Sequence, residues 1–357
     1  MAAYTTIDDP SAHFQIATWT GNTSAPRSIT NDGNSNLQPD WVWGKNRTTA
    51  GTDHELYDSN RGTGTSYNLK PSSTAVEGTG TTYGQLTSFD TDGFTVNAGG
   101  TNDDFWNENG SEFVAWQWKA NGGTTSTNTD GSENSTVQAN TDAGFSIVTF
   151  TANGSTETYG HGLGVKPDIY LAKSRGTAGN WNFITDFIDG SMDYLTLNST
   201  NAAASIAYDA PTSTVFSYND NNTNTTVIYC IAEKQGYSKV GTYYGNGQVD
   251  GTFAYCGFKP AWIMTKNTQS AEPWVVYDTE RNPDNGADLK LTPNTEDGDN
   301  GNSQVGGTSY NIVDILSTGF KMRSNNNATN ESAKRYVFVA FAENPFVSSS
   351  GVPNTAR

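Results

Sequence analysis

The chain has 357 residues, of which 37 are Gly, 34% are hydrophobic and 12% are aromatic. That is too aromatic for a disordered chain and lean for a globular enzyme, and short strands joined by long polar turns produce such a profile. The formal charge of −17, from 20 Lys and Arg against 37 Asp and Glu, repels phosphate backbones and anionic membranes and argues against nucleic acid as a partner.

Residues 1–13 form a polar lead with no basic region and no apolar stretch, so no secretory signal is expected and the protein is expected to be made in the cytosol. No window approaches the ~18 apolar residues of a membrane span, so no membrane insertion is expected.

From residue 14 the chain says one thing three times. An aromatic strand ends in a polar turn at Trp19-Thr20-Gly21-Asn22, again at Phe150-Thr151-Ala152-Asn153, and again at Tyr243-Tyr244-Gly245-Asn246. A proline-led strand follows: Pro39-Asp40-Trp41-Val42-Trp43, then Pro167-Asp168-Ile169-Tyr170-Leu171, then Pro260-Ala261-Trp262-Ile263-Met264. An apolar strand closes each unit, at 113–119, 227–233 and 336–343. Self-similarity of this kind defines an architecture before any site is sought.

The predicted units are a first repeat over 14–120, a Gly/Ser/Thr/Asn linker over 121–143, a second repeat over 144–236, a third over 237–346 and a polar tail over 347–357. The alternation in each strand suits half-buried antiparallel sheet, and no stretch carries a convincing helical period. The expected fold is all-β: three tandem antiparallel β-sandwich repeats of jelly-roll or lectin-like kind. The linker predicts that repeat one swings, whereas the short join around Gln235-Gly236-Tyr237 predicts that repeats two and three are fixed together.

Residues that carry chemistry are sparse. Asp90-Thr91-Asp92-Gly93 resembles the start of a calcium loop, but the distal Glu is missing and a tight turn is the better reading. His13, His54 and His161 have no metal-ligand spacing, and no Ser or Cys sits in a nucleophile elbow. Cys230 and Cys256 lie in apolar runs, where a reduced buried thiol is the usual state, with a disulfide between them the alternative in an oxidising compartment. No catalytic, cofactor or metal residue is therefore nominated. Lys45, Lys173 and Lys266 recur, as do Asp58, Asp186 and Asp278. They read either as a shared ligand position or as Lys–Asp pairs and turn caps that each unit needs, and the structural reading is favoured. Trp106, Trp181 and Trp274 are the candidate carbohydrate-contact aromatics, since exposed flat rings stack on sugar faces, although a core position is the default for a Trp.

Taken together, several stretches resemble one known family. They are Tyr4-Thr5-Thr6-Ile7-Asp8-Asp9-Pro10, Leu37-Gln38-Pro39-Asp40-Trp41, Tyr57-Asp58-Ser59-Asn60-Arg61-Gly62, His161-Gly162-Leu163-Gly164, Gly236-Tyr237-Ser238-Lys239 and Ala340-Phe341-Ala342-Glu343-Asn344-Pro345-Phe346. The chain resembles a repeat family of virion structural proteins of marine tailed bacteriophages that infect cyanobacteria and other abundant ocean bacteria. Repeat two departs from the pattern, with Phe187 and no Arg where the others have Asp58 to Arg61 and Asp278 to Arg281.

The resemblance implies a non-enzymatic place on the virion exterior, as capsid decoration, knob, tail fibre or adaptor. The implied partners are other virion proteins, further copies of the chain and host surface polysaccharide. An adhesin that binds host carbohydrate is the alternative reading, and a polysaccharide-degrading enzyme is a further one, since two carboxylates across a cleft suffice for that chemistry.

Overall fold

The computed structural model describes residues 4–79, 81–99, 105–299 and 313–353; the first three residues of the lead and the last four of the tail lie outside them. In the first segment the strands are β1 (Phe14–Thr20), β2 (Arg27–Ile29), β3 (Trp41–Asn46), β4 (Glu55–Asp58), β5 (Gln85–Asp90), β6 (Gly93–Asn97) and β7 (Glu112–Trp118). Residues 121–143 contribute β8 (Ser126–Asn128) and β9 (Ser135–Asn140). The second segment adds β10 (Phe145–Thr151), β11 (Glu157–Gly160), β12 (Ile169–Ser174), β13 (Asn182–Thr185), β14 (Asp193–Thr196), β15 (Ala204–Ser205), β16 (Val215–Tyr218) and β17 (Thr225–Ile231). The third has β18 (Ser238–Tyr244), β19 (Phe253–Tyr255), β20 (Phe258–Asn267), β21 (Val275–Asp278), β22 (Val313–Leu316), β23 (Gly319–Met322) and β24 (Arg335–Pro345).

All these strands pair antiparallel. The closing strand of each segment lies in the middle of its large sheet, between the aromatic first strand and the proline-led strand. The orders are β1-β7-β3-β4, β10-β17-β12-β13 and β18-β24-β20-β21. A central strand is covered on both faces, so it must be apolar along its length rather than alternating. Phe113 to Trp118, Thr226 to Ile231 and Tyr336 to Ala342 are accordingly buried without interruption.

Each large sheet presents its second face to a smaller sheet: β2-β6-β5, β11-β16 and β19-β23-β22. In the first segment Val42, Tyr57 and Ala115 meet Leu86, Phe94 and Val96 there. The inner faces of the three large sheets share one further core. It joins Trp41, Trp43, Trp116 and Trp118 of the first segment with Phe183 and Tyr229 of the second and Trp262 and Phe341 of the third. Trp41 lies 4.3 Å from Trp118 and 4.5 Å from Tyr229, while Trp118 meets Trp262 edge-on at 5.7 Å.

Two organisational expectations need correction. Residues 121–143 are not a free linker, because they extend the second large sheet, β9 pairing along β10 and β8 along β9. The signal there is backbone pairing, with Val137 the buried apolar anchor in a polar tract. Nor does the first segment swing, since its inner sheet face is buried against both others. The lead and tail are tied down as well. Thr5 Oγ1 donates to Gln235 O at 2.7 Å, and Ser349 N donates to Asp8 Oδ1 at 2.6 Å.

The Asp90–Gly93 stretch is the turn of the β5–β6 hairpin. Gly93 takes φ +99°, and a Cβ there would fall 2.0 Å from Ile29 O, so only glycine fits. Both cysteines are free and buried, and burial pushes their thiols up. No helix of the described residues is long and apolar enough to cross a membrane.

Candidate functional site

Strand register identifies which residues occupy matching places. Trp41 pairs with Asp58, Trp262 with Asp278, and Ile169 with Thr185. Thr185, not Asp186, therefore stands where the other segments carry a buried aspartate, and Asp186 instead pairs with Lys166. The adjacent acid drew attention from one residue away.

The recurrent lysines do not pair with these aspartates either. Lys45 Nζ donates to Thr52 O at 2.8 Å and to Glu296 O at 3.3 Å, Lys173 to Gly179 O at 2.8 Å and Thr74 O at 3.2 Å, and Lys266 to Asn267 O at 2.7 Å. Burial lowers each ammonium to about 8. Lys45 and Lys173 thereby staple loops across segments, whereas Lys266 ties its own loop, each ammonium satisfying carbonyls with up to three donors.

Trp106, Trp181 and Trp274 are fully buried, which removes them as sugar platforms. Trp106 lies over β3 so closely that a Cβ on Gly44 would sit 2.5 Å from its ring. The other two bridge segments. Trp181 Nε1 donates to Lys70 O and Trp274 Nε1 to Thr196 O, both at 2.9 Å. His54 occupies the matching place just before β4, four residues before Asp58, with Nε2 3.3 Å from Thr292 O. Each of these three rings thus reaches the carbonyl after a leucine (Leu69, Leu195 or Leu291) of another segment.

Two junctions also hold buried charge. Arg61 Nε meets Asp58 at 2.5 Å, Arg61 Nη1 meets Glu77 at 2.5 Å, and Glu77 meets Arg175 of the second segment at 2.7 Å. Between the third and first segments, Arg281 meets Asp278 at 2.6 Å and Asp299 at 3.3 Å, and Asp299 meets Arg47 at 2.6 Å. No group of three or more His, Cys, Asp or Glu among the described residues is arranged to hold a metal ion.

The outer surface offers a different chemistry. The second segment's small sheet has two strands where the others have three. Residues 206–214 run as an arm in place of the strand that β5 and β22 supply elsewhere. A cleft of about 360 Å³ opens there, lined by Asn182, Tyr194, Tyr208, Tyr218, Asn219 and Asp220 among others. Tyr208 meets Tyr218 edge-on at 6.2 Å, and its hydroxyl donates to Asn219 O at 3.2 Å while accepting from Asn219 N at 3.0 Å. Asn221 holds the rim in the left-handed region, φ +56°. Asp220 accepts from Thr226 Oγ1 at 2.8 Å, and burial raises its carboxyl above the ordinary range. Sequence reasoning missed these tyrosines, because they come from three separated stretches and only a missing strand exposes them.

No curated protein and no solved structure matches the chain. A family model described as "Domain of unknown function (DUF7483)" matches residues 9–345, which is most of the chain, and the protein belongs to that family.

Proposed function

We propose that the protein is a non-enzymatic structural component of the exterior of a tailed-phage virion, built from three sandwich modules related by tandem repetition. The observation that carries this reading is the shared core. Three sheets bury their inner faces in one cluster, and every pair of segments is joined by side chains that donate to carbonyls of the other.

A chain that spends its repeated lysines, aspartates and tryptophans on holding its own segments together is suited to bear load as a rigid block. Its loops and outer faces are left for neighbours, and its acidic surface favours solubility at high copy number. Capsid decoration, knob, fibre and adaptor all fit such a block, with other virion proteins and further copies as partners.

The test is immunogold electron microscopy and mass spectrometry of purified particles that encode the protein. Labelling on intact particles, at capsid or tail, is the expected outcome. A protein found in infected cells but missing from washed particles refutes the assignment.

A further inference from the structure

We infer that the tyrosine-lined cleft of the second segment is a binding site for a neutral saccharide. Its walls combine ring faces with planar amides. Tyr194 and Tyr208 are half-buried, so each keeps part of its ring towards solvent, whereas Tyr218 closes the floor at 3% exposure. Asn180, Asn221 and Asn222 stand exposed at the mouth, with Asn182 and Asp220 deeper.

Aromatic faces bury the C–H faces of a pyranose, while amide and carboxylate groups take its hydroxyls as both donors and acceptors. The volume of about 360 Å³ falls within the range of about 300–1,000 Å³ typical of small-molecule sites. The competing ligand classes fit less well. An anionic ligand meets Asp220 and a chain of net charge −17, with no Lys or Arg in the lining. A hard divalent cation needs several carboxylates, and Asp220 is the single one lining the cleft. A wholly apolar ligand would strand the amides without partners.

The cleft is also partly pre-formed, which lowers the ordering cost of binding. Tyr208 is locked to Asn219 through two hydrogen bonds, and Asn221 N is fixed by Asn219 Oδ1 at 2.6 Å. Since the inference rests on the cleft alone, it stands whether or not the protein is found on a particle.

The experiment is saturation-transfer NMR and calorimetry on the full chain with maltose, cellobiose, lactose, mannobiose and diacetylchitobiose, each to ~10 mM, and a uronic-acid disaccharide as the anionic control. At least one neutral sugar is expected to saturate and the anionic one to give no signal. Tyr194→Ala and Tyr208→Ala are each expected to weaken binding roughly tenfold. Ala178→Glu, at an exposed lining position, is expected to block it with the fold intact. Tyr255→Ala, at an exposed ring on β19, is expected to change nothing. No saturation by any neutral sugar overturns the inference. So does binding that survives Ala178→Glu and Tyr194→Ala, or that is lost in Tyr255→Ala alone.

Discussion

The Tyr229 hydroxyl donates to Asp58 Oδ2 at 2.6 Å, although 171 residues separate the two in the chain. Burial pushes the phenol well up, so it stays a donor at any physiological pH. The same relationship recurs one junction on, where Trp116 Nε1 donates to Asp278 Oδ2 at 2.9 Å. At the remaining junction the matching places hold Thr185 and Val339, since Tyr229, Trp116 and Val339 pair with Leu171, Trp43 and Met264. Acceptor and donor are present together or replaced together, and the missing arginine of the second segment follows from that. Where no carboxylate is buried, none needs a guanidinium.

Arg61→Met therefore leaves Asp58 buried without its cation, while Glu77 keeps Arg175, and a loss of about 3–5 kcal/mol in urea unfolding is expected. The double variant Asp58→Asn with Arg61→Met removes the charge as well as its partner while keeping an acceptor for Tyr229. It is expected to be more stable than the single variant. Equal or greater loss in the double variant would show that the pair does not act as a unit.

The neutral junction gives the converse experiment. Thr185 is 2% exposed and donates through Oγ1 to Asp168 O at 2.9 Å. Thr185→Asp plants a carboxylate where Ile188, not an arginine, stands three residues on and where Val339 offers no donor, and it removes the bond to Asp168 O. The new carboxyl has its folded pKa raised above the unfolded value of about 3.9, so the penalty is smallest at low pH and grows as pH rises past it. A loss of about 2–4 kcal/mol at pH 7, shrinking towards pH 4, is expected from denaturation at several pH values. A loss that does not vary with pH would place that side chain in solvent.

The extended strands and their inward residues were legible in the sequence because alternation and burial are local. Trp41 with Trp43, and Trp116 with Trp118, share a face as the period-two pattern predicts, but where the pattern suggests that one pair fills the core, both do. The pairing of β8 and β9 was not legible, because a strand in a polar tract is held by its backbone ladder and leaves one buried valine as its trace. The junctions were hidden for another reason. His54 and Trp274 look unrelated until register places them at one position, and the carbonyls they reach belong to other segments. The cleft was hidden because it arises from a strand that fails to form.

His54 accepts from Trp43 Nε1 at 3.0 Å through Nδ1, which puts its proton on Nε2, facing Thr292 O. Burial first, and then the charge of Lys45, hold its pKa well below the ordinary value; Arg281 also faces it with positive charge. A second proton would set Nδ1–H against the indole N–H. The folded value being depressed, the contribution to stability is complete above pH 6.5 and is lost as pH falls below it. Wild type is expected to lose about 1 kcal/mol more than His54→Gln between pH 6.5 and pH 5.5, read from urea midpoints. Parallel pH curves for the two proteins would rule out this role for the imidazole.

Lys266 works in the opposite range. Its folded value of about 8 lies below the unfolded value of about 10.4, so between those limits the unfolded chain holds the proton more tightly than the native state. Stability tied to this group therefore rises with pH, and the full cost of burying the ammonium is present only below pH 8. Tyrosines buried in the core act against this above pH 10, which sets the useful window. Lys266→Met removes the titration and leaves Asn267 O without its donor. Relative to that variant, wild type is expected to gain about 2 kcal/mol between pH 8 and pH 10. Lys45→Met and Lys173→Met are expected to behave alike, because burial shifts all three lysines in the same direction by a similar amount. A wild-type advantage that shrinks over this interval would mean that the ammonium reaches water.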